Sequence, residues 1–157
     1  MKVSRAICVA LVVCAAVVSA DILSMFLYND QYCSDLGMIS VSYLPVCSAM
    51  PCMHYAGLNY RTSCGMPSLP TVPSITTAVY SDSRCGGNWT NVAWIATKKC
   101  VRAPNQQTGA NSAMAICNAQ TPTAWTFATV DCTGSPLTTT QMPVGMCYNN
   151  SLVKCTF

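Results

Sequence analysis

The chain has 157 residues with five aspartates, no glutamate and eight lysines or arginines, which excludes a nucleic-acid binder built on a basic stripe. So few charges leave the surface to Ser, Thr, Asn, Gln and Tyr. Solubility must then come from attached sugar, or the protein is built to associate.

In chain order the first segment is a leader. Lys2 and Arg5 make a positive start, Ala6 to Val18 is nearly unbroken apolar sequence, and Val18-Ser19-Ala20 offers small residues for cleavage. Residues 1–20 are therefore expected to be a secretory signal peptide, cut between Ala20 and Asp21. The run is shorter than the roughly 20 residues a helix needs to cross a bilayer. Pro, Gly, Asn or charge interrupts every later apolar run, and Leu152 to Phe157 is neither long nor apolar enough for a lipid-anchor signal. The expectation is a secreted, extracellular protein with no membrane span, residues 21–157 forming a single all-β, disulfide-rich domain.

Cys8 and Cys14 leave with the signal. Ten cysteines remain: Cys33, Cys47, Cys52, Cys64, Cys85, Cys100, Cys117, Cys132, Cys147 and Cys155. An even number in an exported chain predicts five disulfides. No metal is expected, because there is no close CxxC pair and His54 is the only histidine. No cofactor is expected either.

Three stretches share one pattern: YNDQYC from Tyr28, YSDSRCGG from Tyr80 and TVDCTG from Thr129. Their first cysteines stand 52 and 47 residues apart. Cys47, Cys100 and Cys147 follow 14 or 15 residues later, then Cys64, Cys117 and Cys155 after 17, 17 and 8, which leaves Cys52 outside the scheme. The domain thus divides into repeats of about 22–75, 76–123 and 124–157. Asp30 and Asp82, three residues before Cys33 and Cys85, suit turns in which a carboxylate accepts backbone N–H groups.

Strands are expected at Ile22–Tyr28, Met38–Val46, Tyr55–Ser63, Thr76–Tyr80, Val92–Val101, Trp125–Val130, Met142–Tyr148 and Leu152–Phe157. Pro51–His54 reads as loop, and 65–77, with three prolines among Ser and Thr, as an extended surface connection. Asn111–Cys117 suits a strand or a helical turn. No sustained 3.6-residue period occurs. Three units of this size fit a disulfide-stabilised β-trefoil around a pseudo-threefold axis, with a β-sandwich as the alternative. The economical cysteine scheme joins Cys33–Cys47, Cys85–Cys100 and Cys132–Cys147, leaving Cys52, Cys64, Cys117 and Cys155 over.

The unit Tyr-x-Asp-x-x-Cys-x-Gly is carried by Tyr80, Asp82, Cys85, Gly87 and Cys100, and in part by Asp131, Cys132, Gly134, Gly145 and Cys147. With a closing strand at Ser151–Cys155, it resembles the repeats of small secreted cysteine-rich proteins of amoeboid and other protists. The first copy departs from it, with Asp35 and Gly37 beyond Cys33. The resemblance implies an extracellular coat or matrix role and no enzyme class.

Catalysis is not expected. His54 is the one histidine base, and pairing it with a free Cys52 would leave an odd cysteine. Two carboxylates, such as Asp35 and Asp131, are the remaining arrangement to test. The favoured reading is a non-enzymatic structural protein of a matrix, coat or filament that self-associates or packs on other matrix components through surplus tyrosine and methionine. The alternative is a trefoil-like module that binds glycans or proteins, with Trp89, Trp94 and Trp125 as the aromatic platform. Lys98, Lys99 and Arg102 read as a solvated, edge-protecting cluster. Asn88 and Asn149 head the two glycosylation sequons.

Overall fold

The structure, a computed structural model, describes residues 21–105, 107–118 and 121–157. The expected signal peptide lies outside the described residues. The first four strands are β1 (Asp21–Tyr28), β2 (Leu36–Leu44), β3 (Met50–Tyr55) and β4 (Leu58–Cys64). Next come β5 (Ser74–Tyr80), β6 (Trp89–Ala96), β7 (Cys100–Asn105) and β8 (Ala110–Ile116). The last are β9 (Thr123–Phe127), β10 (Thr138–Gln141), β11 (Cys147–Tyr148) and β12 (Ser151–Thr156). Pro51–His54 is thus strand and not loop, and the 111–117 stretch is strand and not helix.

An eight-stranded sheet runs β11-β12-β5-β6-β2-β1-β4-β3, and a four-stranded sheet runs β10-β9-β8-β7. Pairings between these strands are antiparallel. One order occurs three times: β2-β1-β4-β3, β6-β5-β12-β11 and β10-β9-β8-β7. The first set is continuous in sequence. The other two exchange halves, so that β5 and β6 are completed by β11 and β12, and β9 and β10 by β7 and β8.

This arrangement overturns the β-trefoil. With halves exchanged, the sets do not close around a common axis. Two of them merge edge to edge through β2 and β6, and the third stays apart as a second open sheet.

The cysteines follow the exchange. The bonds are Cys33–Cys52, Cys47–Cys64, Cys85–Cys147, Cys100–Cys132 and Cys117–Cys155. All ten are paired, yet none of the first-to-second bonds expected from spacing is present. In each set the cysteine of the Asp turn joins the last strand of the order as written: Cys33 to β3, Cys85 to β11, Cys132 to β7. Cys52, Cys100 and Cys147 are therefore counterparts, and Cys47 is the residue outside the scheme. The two equal 17-residue spacings, from Cys47 and from Cys100, are coincidental.

The Asp turns are built alike. Asp30 Oδ1 accepts the N–H groups of Ser34 and Asp35, each at 2.9 Å. Asp82 Oδ1 accepts those of Arg84 at 2.8 Å and Gly86 at 3.2 Å, and Asp131 Oδ1 that of Thr133 at 3.3 Å. Each carboxylate compensates for a left-handed cysteine, with φ of 52° at Cys33, 54° at Cys85 and 59° at Cys132.

The expected single strand Val92–Val101 is two strands in different sheets. Lys98 breaks it, taking a φ of 58° and donating its N–H to Ala115 O on β8 at 2.7 Å. The chain leaves the large sheet at Ala96 and enters the small one at Cys100.

Alternation along the strands puts Phe26, Tyr28, Ile39, Val41, Trp94 and Ala96 in one buried cluster on one face of the large sheet. Ile75 and Val153 face the other way and pack with Ala115 of the small sheet. The sheets also meet where β7 passes the bulge at Gly37: a Cβ there would lie 2.8 Å from Val101 Cγ1, so the bulge residue has no side chain. Arg61 covers the aromatic end of the first cluster, 4.6 Å from the centroid of the Phe26 ring and 5.9 Å from that of Tyr28. Burial raises the Tyr28 phenol above its ordinary value, against the opposing pull of the guanidinium.

Candidate functional site

The β2–β6 junction has an approximate twofold relation, and the candidate site follows from it. Ser40 pairs with Ala93, each opposite the middle of its own neighbour, Met25 and Thr77. Matched positions therefore face each other in reverse: Val41 lies opposite Val92, and Ile39 opposite Trp94. Both strands carry a bulge at the same place. Leu36 stands opposite Tyr28 and Trp89 opposite Tyr80, with Gly37 and Thr90 as the extra residues. Leu36 and Trp89 are counterparts, and so are Tyr43 and Ala96, opposite Ile22 and Ser74.

At one end of the junction Tyr43 and Trp89 stack, with centroids 4.4 Å apart and planes at 27°. At the other end the counterparts are Leu36 and Ala96, and the smaller side chains leave space. A half-open cavity of 400 Å³ lies there, lined by Leu36, Pro70, Val72, Pro73, Trp94, Ala96, Thr97, Lys98 and Lys99. Its lining is mainly apolar. Trp94, only 2% exposed, forms part of the wall, and the proline-bearing segment 65–73 supplies another part. Thr97 ties that segment down, its N–H and hydroxyl donating to Pro73 O at 3.0 and 3.1 Å.

The two lysines differ. Lys99 pairs with Asp35 and donates to Leu36 O at 3.0 Å. The Asp35 carboxyl is held below its ordinary value first by this hydrogen bond and then by Asn29, while partial burial opposes them. The Lys98 ammonium has no hydrogen-bond or ion-pair partner among the described residues, and Lys98 is an exposed residue of the cavity's lining. Lys98 and Lys99 therefore sit at a corner between the sheets, and Arg102 follows on β7, an outer strand of the small sheet.

The tryptophans expected to form a platform are dispersed. Trp94 is core and cavity wall, Trp89 is half-buried under Tyr43 at the far end of the same face, and Trp125 lies on the small sheet opposite Met114 and Thr139. Alternation alone would put Trp89 on the opposite face from Trp94. The bulge at Thr90 reverses it.

Asn88 and Asn149 are both exposed, Asn88 immediately before β6 and Asn149 in a turn. Asn149 and Asn150 take φ of 46° and 64°, the two-residue hairpin conformation that asparagine tolerates, and Asn150 O accepts the Tyr80 N–H at 2.8 Å. Tyr80 faces Trp89, so both sequons sit at the end of the large sheet away from the cavity.

The residues that catalysis would draw on are engaged elsewhere. His54 Nδ1 lies 2.7 Å from Asn59 Oδ1 on an exposed hairpin, Cys52 is in a disulfide, and Asp131 bonds Thr133. Among the described residues no group of three or more His, Cys, Asp or Glu could hold a metal, and no helix is long and apolar enough to cross a membrane.

Sequence reasoning missed Leu36, Pro70, Val72, Pro73 and Ala96. Their signal is the mismatch between Leu36 and Trp89, which take the same strand position opposite Tyr28 and Tyr80, legible only once the bulges are known. No protein-family model, curated protein or solved structure matches the chain.

Proposed function

We propose that the chain is a secreted, non-enzymatic binding module that takes an apolar ligand with an acidic end group. The apolar part enters the Trp94 cavity and the acid meets Lys98. The observation that carries this reading is the cavity itself: 400 Å³, largely apolar, with one cation at its rim that has no other side-chain partner among the described residues. A volume of that size is within the range of small-molecule sites. The five disulfides support a preformed site, which reduces the ordering cost of binding. Sugars on Asn88 and Asn149 would leave this end of the sheet open.

Glycan recognition has less support. The cavity's lining hydroxyl, Thr97, is already bonded to Pro73, and Tyr43 and Trp89 occupy each other's faces.

Tryptophan fluorescence titrated with dodecanoate, and with dodecanol as the neutral control, tests the proposal. Dodecanoate is expected to bind saturably and more tightly than the alcohol. Lys98→Ala should remove that preference, about a fivefold effect for an exposed charge pair worth ~1 kcal/mol. Copying the other end of the junction, with Leu36→Trp and Ala96→Tyr, should fill the cavity and abolish binding. Equal binding by the filled variant, or no saturable binding by the native protein, would overturn the reading.

A further inference from the structure

Among the second strands of the three sets, β2 and β6 pair with each other, while β10 is an outer strand of the small sheet. We propose that β10 is a docking edge for a second copy of this chain, joined as β2 joins β6. This goes beyond the cavity and does not depend on its ligand.

The register follows from matched positions. Ser40 lies opposite Met25 on β1, Ala93 opposite Thr77 on β5, and Thr140 opposite Ala124 on β9. Met25 faces Thr62, Thr77 faces Val153, and Ala124 faces Ala115, which completes the correspondence across the fourth strand of each set. The internal junction is centred on Ser40 and Ala93, two small side chains. The junction between copies is therefore centred on Thr140 against its own counterpart, with Thr139 of each copy opposite Gln141 of the other. The result is a closed, twofold pair.

The chemistry of the edge agrees. Residues 138–141, Thr-Thr-Thr-Gln, are exposed, uncharged and free of proline, and three of the four are β-branched. Met142 donates its N–H to Pro122 O, so by antiparallel alternation Thr139 and Gln141 turn their backbone groups outward. The other outer strands carry blocking features. β3 contains Pro51 and a register shift, β11 has two residues, and β7 contains Pro104 and already donates its Arg102 N–H to Asn29 Oδ1 at 3.2 Å. β10 has none of these.

Light scattering across a concentration series, on the glycosylated protein at physiological salt, reads the association. The native protein is expected to move from monomer to dimer and stop there. Thr139→Pro, which removes an outward donor and leaves the β9 ladder intact, is expected to stay monomeric while keeping five disulfides. Hydrogen exchange on the native protein provides a measurement that needs no variant: amides of Thr139 and Gln141 should become protected as concentration rises. A native protein that stays monomeric at millimolar concentration would overturn the proposal. So would a dimer that forms with 139 and 141 unprotected, or one that persists in Thr139→Pro.

Discussion

At the residue scale, the recurring aspartates act on backbone. Asp30, Asp82 and Asp131 have carboxyls below their ordinary value, and in each case donated hydrogen bonds are the leading cause: Ser34 for Asp30, the N–H of Arg84 for Asp82, Thr133 for Asp131. A folded value below the unfolded one means that these groups stabilise the protein fully above the unfolded carboxylate value, about pH 4. The contribution declines below that and is gone once pH has fallen through the depressed native values. Thermal melts should therefore be flat from neutral to about pH 5 and decline below about pH 4. Asp82→Asn should blunt that acid dependence, because it keeps an acceptor and removes the titration. An unchanged acid profile would show that the turns do not carry it. The role of these residues was legible because Asp before a turn has one dominant use. The left-handed cysteines were not, since cysteine has no special preference for that conformation. Gly37 makes a second residue-scale prediction. Gly37→Ala must push Val101 aside in a packed contact, and denaturant unfolding should register a loss of about 1–3 kcal/mol.

At the scale of elements, alternation located most strands because burial on one face imposes a period of two. It failed where one residue changes the sheet or the face. Lys98 turns the chain between sheets, and the bulge residues Gly37 and Thr90 move Leu36 and Trp89 onto the buried side. A lysine corner and a threonine bulge have no compositional mark. The exchange of halves between β5–β8 and β9–β12 is equally silent, because equivalent strands can pair within or between repeats with similar local energy. Cys117–Cys155 ties the two exchanged sets together, closing 38 residues. Replacing both cysteines by serine should cost about 2–5 kcal/mol and loosen the Ile75–Ala115–Val153 contact, as measured by unfolding and by hydrogen exchange in β8 and β12. Loss of the same size without added exchange there would contradict the stapling role.

At the scale of the molecule, the cavity and the open β10 edge have one origin. Both depend on two strand sets merging through β2 and β6 while the third, completed by exchange, stands apart. Lys98 lines the cavity because its neighbour Cys100 leaves to join Cys132 in the other sheet, and β10 lies open because its set does not merge. Disulfide mapping of the unreduced, alkylated protein by proteolysis and mass spectrometry tests this most directly. The expected peptides join Cys85 to Cys147 and Cys100 to Cys132, with Cys33–Cys52, Cys47–Cys64 and Cys117–Cys155 completing the set. Peptides joining Cys85 to Cys100 and Cys132 to Cys147 would mean that each repeat closes on itself, and would contradict the exchange together with the site and edge that depend on it.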